Sequence, residues 1–84
     1  MATIIVKILT DVRLKRSRSD DTFYQCTGLT TESELCTITA WSPDQKEHLI
    51  AGNTVIIRKC NVTKRDTRTF VQLNKEATVS IAVF

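Results

Sequence analysis

Glycine occurs twice and proline once in this chain of 84 residues, and histidine, tryptophan, tyrosine and methionine occur once each. The glycines, Gly28 and Gly52, stand far apart, so no glycine-rich loop can gather backbone amides around a phosphate. One histidine, His48, sits among charged residues and reads as solvated. The three cysteines, Cys26, Cys36 and Cys60, form no C-x-x-C pair, which argues against zinc of the usual ligand spacing. An odd number of isolated cysteines fits a reducing compartment, nucleus or cytosol, with the thiols acting as small buried hydrophobes. The apolar start Ile4-Ile5-Val6 is broken by Lys7 and is too short for a signal peptide or a membrane span. Without a secretory signal, the glycosylation sequon Asn61-Val62-Thr63 is expected to be unused. No nucleophile stands near a histidine on a turn, and the neighbours Asp20 and Asp21 do not aim their carboxylates at one point. The expectation is a protein that is not an enzyme and takes no metal or cofactor.

What is present is strand. The chain is short enough to be one domain, residues 1–84, and it needs a small, efficient architecture to bury a core. Ala2 to about Val12 reads as a long first strand, apolar on both faces as happens where a strand bends between two layers. Arg13–Asp21 is polar and without period, which predicts a mobile loop. Phe23–Thr30 is a second strand, with Gly28 marking a bulge or close bend. A turn at Thr31–Glu34 leads into a third, where Cys36, Ile38 and Ala40 face one side and Thr37, Thr39 and Trp41 the other. A short helix follows: Ser42 as N-cap, Pro43 at the first position, Gln45 completing a capping box, Gly52 ending it. Thr54 to about Val62 is a fourth strand, Thr63–Arg68 a second basic loop, and Phe70–Asn74 a fifth strand with Val71 and Leu73 inward and Phe70 outward. Val79 and Ile81 extend the sheet. Five strands with a short helix between the third and fourth predict an all-β OB-fold, a Greek-key barrel whose lower end is plugged by Leu49 and Ile50.

Function is expected on one face of that barrel. Trp41 and Phe70 point outward by parity, and Tyr24 is a further aromatic candidate, although a one-residue slip would exchange it with Phe23. Arg13, Lys15, Arg16 and Arg18 in the first loop and Lys64, Arg65 and Arg68 in the second hold seven of the twelve lysines and arginines. Strand alternation lets only one of Arg58 and Lys59 face the same groove. Flat aromatic faces for bases, flanked by cations for phosphates, are what a single nucleic-acid strand requires. The competing reading is a protein-interaction or oligomerisation domain in which the same aromatics form an interface.

Thr39-Ala40-Trp41 followed by a short helix resembles the third-strand motif of the single-stranded-DNA-binding OB domains of replication protein A and related proteins. Arg68-Thr69-Phe70-Val71 resembles their second stacking position, and Leu73–Val79 resembles the way those barrels end. The likeness spans essentially the whole chain. Thr37 stands where some of those domains carry a phosphate-binding arginine, and Thr31–Glu34 lacks their Asp–Gly hairpin turn. The resemblance implies binding of single-stranded DNA, with RNA second, with little sequence preference, in a nuclear or cytosolic setting such as DNA repair.

Overall fold

A computed structural model describes residues 1–83 as one barrel built from seven strand segments: β1 (Ala2–Ile8), β2 (Arg13–Arg16), β3 (Thr22–Thr30), β4 (Leu35–Ala40), β5 (Thr54–Arg65), β6 (Arg68–Leu73) and β7 (Thr78–Ile81). The segments amount to five staves. β1 and β2 lie in line along β3, the first opposite Gly28–Thr30 and the second opposite Thr22–Gln25. β6 and β7 likewise lie in line along β5. Pairing runs β1–β3–β4–β6–β5 and closes through an antiparallel β5–β1 contact, with β4 and β6 parallel. That is the OB-fold barrel, and the sequence-based fold class holds.

Alternation places the core. Val6, Ile8, Cys26, Cys36, Ile38, Ala40, Val55, Ile57, Cys60, Val71 and Leu73 fill the interior, all nearly inaccessible to water. All three cysteines are buried free thiols. Gly28 marks close approach: a Cβ there would overlap Val6 Cγ1 and come within 3.2 Å of the Lys7 carbonyl. β5 carries a bulge, since Ile4 pairs with Ile57 but Ala2 with Cys60, and Lys59 takes φ 58°. The extra residue reverses the phase of burial, so Val55 and Ile57 point inward before it and Cys60 after it. Arg58 and Lys59 are therefore both exposed, where simple alternation allows one outward.

Several local expectations are corrected. β1 ends at Ile8 rather than near Val12. Arg13–Arg16 is a strand rather than a mobile loop, because β3 is long enough to offer it a backbone ladder. The segment Thr63–Arg68 is not a loop either: β5 runs to Arg65, β6 begins at Arg68, and Asp66 makes the turn at φ 54°. The helix is a single 3-10 turn, Pro43–Lys46. Ser42 makes no side-chain cap, and Gln45 turns inward instead, its Nε2 donating to the carbonyls of Asn74 at 2.6 Å and Ala77 at 3.2 Å. Those bonds tie the turn to the β6–β7 corner. Leu49 is buried in the core, whereas Ile50 is about half exposed and plugs nothing.

Candidate nucleic-acid interface

Register assembles one continuous outer face across β2, β3, β4, β6 and β5. Lys15 pairs with Phe23, and Trp41, one residue beyond β4, continues that row because Tyr24 pairs with Ala40. The next row on the same side is Arg13, Gln25, Thr39, Gln72 and Asn61. The third is Thr27, Thr37, Phe70 and Thr63, and Arg65 opposite Arg68 closes the far end. From Thr37 to Trp41 along a strand rising ~3.3 Å per residue, the two aromatic rows lie roughly 13 Å apart.

The aromatic platform is a pair. Phe23 and Trp41 lie 5.1 Å apart between ring centroids with planes tilted by 44°, and Trp41 keeps 47% of its surface exposed. Phe70 is half-buried and lines a concavity of about 240 Å³ with Thr63, Arg65 and Gln72. Across the face, Arg13, Lys15, Gln25, Thr27 and Thr37 line another of about 250 Å³ with Thr10 and Asp11. Lys15 Nζ donates to Gln25 Oε1 at 2.7 Å, so its charge is held on the face. Asp11 does not neutralise that charge at contact: its Oδ1 accepts the Ala51 amide at 2.8 Å. Among the described residues, no carboxylate forms an ion pair with Arg13, Arg65 or Arg68. Arg65 and Arg68 are like charges directly opposite one another, an arrangement that disfavours itself until an anion lies between them.

Of the residues singled out in the sequence, Trp41, Phe70, Arg13, Lys15, Arg65 and Arg68 come together here. Tyr24 does not. Its parity is that of buried Cys26, so it packs against the core at the barrel's lower end beneath Lys46, whose Nζ is 4.7 Å from its ring centroid. Arg16 has the opposite parity to Lys15 and faces Asp20 at 3.9 Å, an exposed contact of little energy. Arg18 is exposed in the β2–β3 turn. Lys64 shares the parity of Val62 and lies 3.5 Å from Glu34 at the barrel's upper mouth, away from this face. Phe23, Gln25 and Gln72 complete the face. The signal for Phe23 is the burial of Cys26, which fixes Tyr24 inward and its neighbour outward.

Burial sets the chemistry of the thiols as well. Loss of solvation, and secondarily the nearby Cys36 sulfur, pushes the Cys26 thiol up to about 12, and burial raises Cys36 and Cys60 too. Such thiols are poor nucleophiles at neutral pH.

No protein-family model matches the chain, and no curated protein matches it in sequence. Among solved structures it is similar to a murine DNA-binding protein determined bound to double-stranded DNA, with a TM-score of 0.71 and 15% sequence identity. The match covers 100% of this chain and 42% of that one. At this identity the likeness establishes a shared barrel fold.

Proposed function

We propose that this domain binds single-stranded nucleic acid across the β2–β3–β4–β6–β5 face, DNA in preference to RNA and with little sequence preference. One observation carries the reading: two aromatic platforms, Phe23–Trp41 and Phe70, share one face with cations at both ends that no carboxylate pairs among the described residues. Bases stack on the aromatics. Arg13 and Lys15 at one end and Arg65 and Arg68 at the other hold phosphates. Arg18 reaches the polymer only if the strand continues past the β2–β3 turn, whereas Arg16, Lys64 and Tyr24 make no contact. The double-stranded ligand of the structurally similar protein supports nucleic acid as the ligand class, while exposed aromatics favour unpaired bases, whose faces are free. Catalysis is no part of this function, and the site calls for no cofactor. The buried free thiols are compatible with a nuclear or cytosolic setting, and kinship with the replication protein A domains is part of the same proposal.

Trp41 is the only tryptophan and sits on the platform itself, so it reports directly. Titration with short oligothymidylate should quench its fluorescence, and the affinity should fall with salt at a log–log slope of roughly −0.7 per phosphate contact. A duplex of equal length should bind more weakly. An intact fold with no quenching at low salt would eliminate the reading, and tighter binding of duplex would replace its single-stranded form.

A further inference from the structure

Two strands of the barrel keep an open edge among the described residues: β2, paired to β3 alone, and β7, paired to β5 alone. They are guarded differently. β2 presents Arg13, Lys15 and Arg16, and charge on an edge strand is how sheets discourage association. β7 and the residues after it, Thr78-Val79-Ser80-Ile81-Ala82-Val83, carry no charge, no proline and no glycine. Valine, isoleucine and threonine favour strands, and neutral segments of this kind pair readily with their own kind. Ile81 is 43% exposed and Val83 is 89% exposed.

The ladder shows which backbone groups are free. Ala82 N–H donates to the Thr54 carbonyl at 2.9 Å. In an antiparallel pair the backbone groups alternate in direction, so those of Thr78, Ser80 and Ala82 aim at β5. The N–H and C=O groups of Val79 and Ile81 therefore point to the open side.

We propose that β7 is a dimerisation edge, pairing antiparallel with β7 of a second copy about a two-fold axis beside Ser80. Val79 of each copy then stands opposite the partner's Ile81, and each such pair exchanges both N–H···O=C bonds. Ile81 becomes covered by the partner's Val79. A β2–β2 contact would set arginines and lysine against their own kind. A β7–β2 contact would leave an edge open at each end and grow without limit, whereas β7–β7 closes. Among the described residues, the side-chain charge that reaches towards the axis is Arg58, whose Nη1 lies 3.1 Å from Ser80 Oγ. The axis brings the two Arg58 side chains towards each other, so added salt strengthens this dimer by screening. Nucleic-acid binding responds to salt with the opposite sign. The edge uses none of the residues of the aromatic face, so either proposal can fail alone.

Sedimentation equilibrium of the full chain, without nucleic acid, tests the state, and amide exchange tests the edge. The expected result is a concentration-dependent dimer, tighter at high salt, in which the Val79 and Ile81 amides become protected as dimer forms. Ser80 and Ala82 should be protected at every concentration, because their partners are within the protomer. Ile81→Lys should yield a monomer with unchanged oligothymidylate affinity per site. A protein monomeric at the highest soluble concentration, a dimer whose Val79 and Ile81 amides stay open, or a dimer unaffected by Ile81→Lys overturns the inference. The exchange pattern of the unaltered chain decides the matter even if that variant folds poorly.

Discussion

Phe23 and Trp41 lean against each other across the β3–β4 ladder, ring centroids 5.1 Å apart and planes tilted by 44°. The contact holds the indole in place on an otherwise open surface. Under the proposed function, a ring positioned before its ligand arrives would lose less freedom on binding, making the pair a better platform than either ring alone.

Neighbouring aromatics should therefore separate cleanly. Trp41→Ala and Phe23→Ala should each weaken oligothymidylate binding by about 1–3 kcal/mol with a small change in melting temperature. Tyr24→Ala, one position along, should leave affinity near its original value and lower stability by about 2–3 kcal/mol, since that ring packs on the core. Isotherms and thermal melts of the three variants check this.

The basic residues should sort by face rather than by position in the chain. Arg65→Ala and Arg68→Ala should each weaken binding and reduce the salt slope by roughly 0.7. Each also removes one of two like charges set opposite in register, so stability should hold or rise slightly. Lys64→Ala, next to Arg65 in the chain, should leave the slope unchanged, because Lys64 faces Glu34 at the barrel mouth. Salt-dependent titrations of the three variants provide the comparison.

Gly28→Ala should destabilise the barrel by about 1–3 kcal/mol, read as a lower urea midpoint with unchanged m-value. The added methyl meets Val6 inside a closed core, where β1 and β3 have no room to part.

The buried thiols should be silent in the native state and visible on unfolding. All three should react with a thiol reagent at pH 8 only as the protein opens. Their folded pKa values are raised above the ordinary 9.0, to about 12 for Cys26. Below pH 9 the thiols are protonated in both states and their contribution is fully present. As pH rises from about 9 towards 12 the unfolded chain releases protons first, so stability is lost. Urea midpoints across that range, compared with a Cys26→Ala variant, measure the effect.

Much of this was legible in the residues. Leu35–Ala40 alternates so cleanly that burial of Cys36, Ile38 and Ala40 and exposure of Trp41 follow from parity alone. The β6 pattern around Phe70 is equally plain. Tyr24 is ambiguous in the sequence because Phe23 and Tyr24 are both aromatic, and a slip of one residue satisfies local pattern either way. The pairing of Cys26 with Ile38 across the ladder removes the ambiguity. The basic runs read as loops in the sequence because charge signals exposure, and an exposed strand at the end of a hairpin carries as much charge as a loop. Gln45 reads as a capping residue in the sequence, since its distant partners at Asn74 and Ala77 leave no trace in local spacing.

The fold class and the inward set of small hydrophobes on β4 and β6 follow from period-two alternation, which depends only on neighbours along the chain. Which charges share a face with Trp41, where the bulge at Lys59 reverses the alternation, and which edge stays open emerge only on folding. Those properties depend on register between strands distant in sequence, and register is fixed by closure of the whole barrel around its core.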